Sequence, residues 1–282
     1  MFQKMKSEHF REKQLIKKAF EIRKTIIQML APIESHHIGC SLDIVEILTV
    51  LYFKILRVDP KKPNDPKRDI FILSKGHAGA AVYATLAERG FFSKKLLAGY
   101  DRDNGTLTEH IATLVPGVEF SSGSLGHGLP VGAGYALSLL NDNKKNKVYV
   151  IISDGELNEG SNWEAIMFSN HHNLNNLIVI ADFNGYQGYS STKNVINLSP
   201  FFKKISSFQW NVYQVDGNNF NDLIKIFIKV NTQKNGKPHF IIANTIKGKG
   251  VSYFEGKFES HYKPVDEDLK KQILLELSMK ET

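Results

Sequence analysis

The sequence predicts an α/β chain: a doubly wound, mainly parallel sheet with helices on both faces. Short runs rich in β-branched residues at 70–73, 148–152, 177–181 and 239–243 have the length of buried strands. Helical patterns lie between them, at 159–172 and 219–233, with a further strand expected at 211–215. Strand–helix–strand units cross over right-handed, which makes the strands parallel and brings their carboxyl ends to one rim. At 282 residues and 42% hydrophobic composition, the chain is long enough for a single domain over 1–282 with a sizeable core.

Composition narrows the function classes. The net charge of +7 comes from lysines that are scattered or in short pairs with acids between them. No basic stripe interleaves with aromatics, so a nucleic-acid partner is not expected. Cys40 is the only cysteine, which rules out an intrachain disulfide and points to a reducing compartment. The amino-terminal segment MFQKMKSEHFREK is charged throughout and lacks the apolar centre of a signal peptide. No apolar stretch approaches the roughly 18 residues that span a bilayer. The expectation is a cytoplasmic protein with no membrane partner.

Along the chain, residues 9–30 read as an amphipathic helix with Phe10, Ile16, Phe20, Ile27 and Leu30 near one face, ended by Pro32. Ser35-His36-His37-Ile38-Gly39-Cys40-Ser41 follows, with Ser41 as expected N-cap of a helix over 42–56. The spacing of the two histidines is compatible with surface polarity or with a site. Residues 57–69 are a polar, proline-rich loop. The 70–73 strand then enters Ser74-Lys75-Gly76-His77-Ala78-Gly79, which opens a helix through Ala87. A histidine at such a turn sits beside free backbone N–H groups, suited either to capping or to an anionic ligand.

Residues 93–127 read as mostly irregular, which is long for a connection without a function. They contain Glu109-His110 and the run PGVEFSSGSLGHG, whose glycines let the backbone approach a ligand. A small-residue helix at 130–141 is expected to pack closely on the sheet.

The strongest local signal lies at 148–188. One strand ends in Ser153-Asp154-Gly155, a helix follows, and the next strand delivers Asp182-Phe183-Asn184-Gly185. Asp154 and Asn184 should meet at the rim where open α/β sheets bind ligands. A carboxylate and an amide oxygen that leave other positions open suit Mg²⁺ shared with phosphate oxygens. Glu159, Trp163 and Glu164 open the intervening helix, where acids also complement the helix dipole. Beyond lie a polar loop at 189–208, a glycine-rich rim loop from Thr245 to Val251, Ser260-His261-Tyr262-Lys263-Pro264, and a charged helix at 266–279 that is exposed or faces a partner.

The wording SDGELNEGSNWEA, with an Asn after the next strand, is similar to the thiamine-diphosphate motif of the transketolases. Ser153 replaces the family's usual Gly, and Phe183 its usual Asn. The resemblance extends from about residue 10 to 270 through at least five motifs in family order. It implies the thiamine-diphosphate-binding fold of the diphosphate-side (PP) domain. Asp154, Asn184 and the backbone carbonyl of Tyr186 would then ligate Mg²⁺, for which Ca²⁺ or Mn²⁺ can substitute. Ser-Lys-Gly-His-Ala assigns His77 to the coenzyme diphosphate. His37 matches the family's Ser-x-His-x-Gly histidine that faces substrate and thiazolium, whereas His36 does not.

Further positions carry over in the same way. Gly123, Leu125 and Gly126 line the coenzyme rings, Leu125 at the contacting position, and Gly155 and Glu159 belong to the coenzyme site. His110 falls at a substrate-facing position, although Glu109 and Ile111 replace the usual Gly and Pro. His127 stands where the family often has Gln and is given no role. His261 matches the histidine bridging diphosphate and substrate, with Ser260 and Tyr262 replacing Trp and Gly. Glu159 and Glu164 match interface glutamates between paired active sites.

The resemblance covers only the diphosphate-binding half of a transketolase, and the activating glutamate against the aminopyrimidine belongs to the domain that follows. It therefore implies an amino-terminal subunit of a split, heterotetrameric (α₂β₂) transketolase that acts on sugars or sugar phosphates and needs a separate carboxyl-terminal subunit. The rival expectations are an alpha-type subunit of a 2-oxoacid dehydrogenase and a non-catalytic cofactor-binding scaffold.

Overall fold

The computed structural model describes residues 12–33 and 36–281. Residues 9–11 of the expected first helix, Phe10 among them, and Ser35 of the histidine turn lie outside the described residues. In chain order the helices are α1 (Glu12–Leu30), α2 (Ile38–Leu42), α3 (Val45–Val50), α4 (Gly79–Arg89), α5 (Gly128–Asn141), α6 (Gly160–His171), α7 (Thr192–Val195), α8 (Phe201–Ser207), α9 (Phe220–Thr232) and α10 (Glu267–Glu281). The strands are β1 (Ile70–Leu73), β2 (Val148–Ser153), β3 (Leu177–Phe183), β4 (Asn211–Asp216) and β5 (His239–Asn244).

All strand pairs are parallel, in the order β1-β2-β3-β5-β4. Side chains alternate between the two sides of each strand; β1, β2, β3 and β5 are almost wholly buried on both sides, whereas the edge strand β4 is only partly covered. Phe71, Tyr149, Ile151, Ile178 and Ile241 join the core beneath α1, α3, α4 and α9. Ile72, Val150, Ile152, Val179 and Phe240 join the core beneath α5, α6 and α8. The sheet is therefore wound on both faces, as expected. Among the described residues, no helix is long and apolar enough to cross a membrane.

Two expectations about the amino-terminal third are corrected. The buried stripe of α1 is Leu15, Ala19, Ile22, Ile26, Ile27 and Leu30, while Ile16 is exposed and Phe20 only half-buried. Steps of four and three residues from Leu15 follow the 3.6-residue period, and a stripe started at Ile16 drifts off it. Nor does Ser41 cap a helix over 42–56. Ser41 lies inside α2, and Asp43 and Ile44 separate α2 from α3, which runs on into a wider turn over Leu51–Ile55. The break places the Asp43 carboxylate where the backbone N–H of Gly248 donates to it at 2.7 Å, a long-range contact that no local pattern encodes.

The long 93–127 segment is irregular apart from a 3₁₀ stretch, Lys94–Gly99. It is tied down at named points. Ser122 Oγ donates to the Leu73 carbonyl at 2.5 Å, the Ile111 N–H to Gly76 O at 3.2 Å, and the Ala112 N–H to the Tyr83 hydroxyl at 2.9 Å. Gly76 is needed there, since a Cβ would sit 2.2 Å from the Ser122 carbonyl oxygen. These ties carry His110 and the glycine run to the carboxyl rim of the sheet.

Candidate active site

At that rim the elements enclose a cavity of about 420 Å³. Gly155, Asn184 and Tyr186 from the turns after β2 and β3 line it, together with Leu125 and Glu159. Cys40, His77, His261 and Tyr262 contribute to the same lining, as do the buried Lys75 and Lys247.

Asp154 and Asn184 meet as the spacing predicts, because β2 and β3 are neighbours with Ser153 opposite Asp182. Asp154 is fully buried. It accepts the N–H of Gly155 at 2.8 Å and that of Gly185 at 2.7 Å. Burial, aided by the neighbouring Asp182, pushes its pKa up to about 7 against the pull of those two N–H groups. Among the described residues no Lys or Arg ion-pairs with it. Asn184 donates from Nδ2 to Asp43 Oδ2 at 2.8 Å, which fixes which end of the amide is oxygen, and its Oδ1 accepts the Tyr186 N–H at 2.9 Å.

The four predicted histidines converge. The His37 ring lies 5.1 Å from His77, 5.0 Å from His261 and 6.3 Å from His110, centroid to centroid, and His77 lies 5.9 Å from His261. They come from four separate segments. His37 takes a left-handed conformation with φ 63°, unusual without glycine, and its N–H donates to the His261 carbonyl at 2.9 Å. His36 Nδ1 bonds the Tyr262 carbonyl at 2.7 Å, so its ring secures the turn. Burial is the main reason the pKa of His77 falls to about 4, leaving its imidazole neutral near pH 7.

Gly123 packs 3.5 Å, from where its Cβ would be, against the His110 ring. Gly126 has φ +82°, and a Cβ there would come within 2.6 Å of Glu159. Its N–H donates at 2.7 Å to Glu156, a fully buried carboxylate that also receives Ser74 Oγ and the Ser153 N–H. Glu159 and Glu164 are exposed, with Glu159 preceding the first residue of α6.

A buried charge network beneath the cavity escaped sequence reasoning. Lys75 pairs with Asp182, which also receives Thr245 Oγ1. Lys247 Nζ lies 3.2 Å from Cys40 Sγ and 3.8 Å from Asp43. Burial works against the Lys247 ammonium, yet Cys40 and Asp43 hold its pKa above the usual lysine range. Burial likewise opposes ionisation of Cys40, but the Lys247 ammonium beside it, helped by hydrogen bonding from His261, carries the thiol well below its ordinary value. Asp43 is pushed up to about 8, chiefly by burial. The available signals were Lys75 within the quoted turn motif and Asp182 near the end of an apolar strand, since charges rarely enter such places without partners.

This geometry can be set beside known proteins. A family model described as the transketolase, thiamine diphosphate binding domain matches residues 13–281. The chain belongs to the transketolase family. It is 42% identical over 252 residues to an apulose-4-phosphate transketolase subunit of Actinobacillus succinogenes, covering 89% of this chain and 91% of that one. It is 38% identical over 257 residues to the 6-deoxy-6-sulfo-D-fructose transketolase subunit SqwG of a Clostridium species, covering 91% and 93%. The crystal structure of Campylobacter jejuni transketolase superposes with a TM-score of 0.87 at 25% identity, over 94% of this chain but 42% of that protein. The parallel sheet with helices on both faces is thus the family's diphosphate-binding α/β fold.

Proposed function

We propose that this chain is the amino-terminal, diphosphate-side subunit of a two-chain, thiamine-diphosphate- and Mg²⁺-dependent transketolase, which moves a two-carbon ketol unit from a ketose donor to an aldose acceptor. The observation that carries this is one cavity lined by Asn184, His77 and His261, with the buried Asp154 carboxylate held by the Gly185 N–H beside it and His37 and His110 clustered against the same histidines. Family membership and the match along 91–93% of two proteins named as transketolase subunits support it.

The residues present fit the coenzyme. Asp154 is a buried carboxylate with no cationic side chain paired to it among the described residues, so a divalent ion would supply the missing charge. Asp154, Asn184 Oδ1 and the Tyr186 carbonyl would hold Mg²⁺, or Ca²⁺ or Mn²⁺ in its place. When bound, the thiazolium ring supplies the electron sink for carbon–carbon cleavage. His77, neutral in its buried turn, and His261 would hydrogen-bond the diphosphate and orient the donor. His37, His110 and His261 would hold and move protons of the sugar hydroxyls. Gly123, Leu125, Gly126, Gly155 and Glu159 would shape the coenzyme bed. Glu164 would join Glu159 at the contact between paired sites.

A separate carboxyl-terminal subunit would complete each site in an α₂β₂ assembly, in the cytoplasm, with sugars or sugar phosphates as substrates. A 2-oxoacid dehydrogenase role is not favoured, since that chemistry has no use for the polyol-facing histidine set. A scaffold role would gain nothing from the metal corner. The test is ketol transfer by the purified chain, by its partner chain and by the mixture, with and without Mg²⁺. Activity only in the Mg²⁺-supplied mixture is expected; full-speed turnover by this chain alone would overturn the reading.

A further inference from the structure

His37, Cys40 and His261 form a cluster that the ketol-transfer reading leaves partly unused. One ring nitrogen of each histidine and the Cys40 sulfur all lie within 4.8 Å of one another. Cys40 Sγ is 3.4 Å from His261 Nδ1. In a tetrahedral zinc site, with Zn–S near 2.3 Å and Zn–N near 2.0–2.1 Å, the sulfur-to-nitrogen edge is about 3.5 Å. His37 Nδ1 is buried and has no hydrogen-bond partner among the described residues. Its backbone is locked in a left-handed turn by the His261 carbonyl, so the two imidazoles are already held near the sulfur.

We propose that His37, Cys40 and His261 form a soft-metal site that takes one Zn²⁺ ion, with its fourth position open to the cavity beside His77. One thiolate and two imidazoles suit Zn²⁺ and disfavour Mg²⁺, whereas the all-oxygen set at Asp154 and Asn184 has the reverse preference. Lys247 is the sulfur's present cationic neighbour at 3.2 Å, and Asp43 at 3.8 Å would keep that ammonium when the metal takes over the sulfur. Occupancy would remove two of the four clustered histidines from other work, so Zn²⁺ would act as an inhibitor. The metal site itself does not depend on the reaction proposed above.

The probe is Zn²⁺ alone, titrated into the purified full-length chain in excess Mg²⁺, with Co²⁺ as its spectroscopic surrogate. One Zn²⁺ per chain and a thiolate-to-cobalt charge-transfer band are expected. Cys40→Ala and His261→Ala should each abolish the band or weaken metal binding at least about 100-fold, because losing even an outer partner of a ligand costs 10–100-fold. The surface pair His171 and His172, whose rings are 4.9 Å apart, is the control: replacing both with alanine should leave binding unchanged. Zinc uptake unaltered by Cys40→Ala would overturn the proposal. A cobalt complex of the unmodified chain without a thiolate band would overturn it however the variants fold.

Discussion

At the scale of single residues, buried charge decides what this chain tolerates. Asp154→Asn keeps the shape and the backbone bonds but removes the negative charge a divalent ion needs. Mg²⁺-dependent coenzyme binding by the assembled protein, read by calorimetry, should weaken at least about tenfold, by analogy with losses around metal ligands; unchanged affinity would remove the metal assignment. Lys75→Met strands Asp182 in the core without its cation. That should cost about 3–5 kcal/mol in denaturant unfolding, and adding Asp182→Leu should recover much of it. His239 is a different case. It is fully buried and stacked on Tyr213, neither ring nitrogen has a hydrogen-bond partner among the described residues, and burial lowers its pKa from 6.5 to about 4. The unfolded chain therefore takes up this proton first as pH falls. Stability is whole above about pH 6.5 and declines toward pH 4, by at most about 3 kcal/mol from this group. His239→Phe should flatten that acid slope in unfolding curves at several pH values, and an unaltered slope would assign it to other groups.

At the scale of elements, α5 shows how closely a helix must approach the sheet. A Cβ on Gly132 would lie 2.5 Å from Val150 Cγ2, whereas one on Gly134 would meet nothing within 4 Å. Gly132→Ala should destabilise by about 1–3 kcal/mol through overpacking. Gly134→Ala, in the same helix, should stabilise by about 0.5–1 kcal/mol through helix propensity. Opposite signs in chemical denaturation check the close approach; equal effects would refute it. Four of the strands were legible because short runs buried on both faces read almost directly from the sequence, and the half-exposed edge strand β4 by its bounding turn residues. The α2–α3 break was not, because it answers to Gly248, 205 positions from Asp43. The face of α1 was misjudged because Ile16 is apolar yet exposed, and apolar residues on a surface are ordinary.

At the scale of the molecule, the cavity draws on segments from Cys40 to Tyr262, so its assembly depends on the whole sheet. The chain aligns with 42% of the Campylobacter jejuni transketolase and with 91% of the Actinobacillus succinogenes relative. Mixing this chain with its partner subunit should therefore yield a larger complex in light scattering whose formation tracks the appearance of ketol transfer. Activity without a change in mass would contradict a shared site.

The sequence by itself determined the strand count, the wound sheet and the family. Those features are written in contiguous runs and short motifs whose physics is local: β-branched burial, right-handed crossover, and turns at strand ends. Tertiary structure decided how closely the four histidines cluster, and that Lys75, Asp182, Asp43, Lys247 and Cys40 form a buried charge network beside the cavity. A lone buried charge is too costly to persist, and its partner is chosen by proximity in the fold, across separations such as the 107 positions between Lys75 and Asp182, rather than by spacing along the chain.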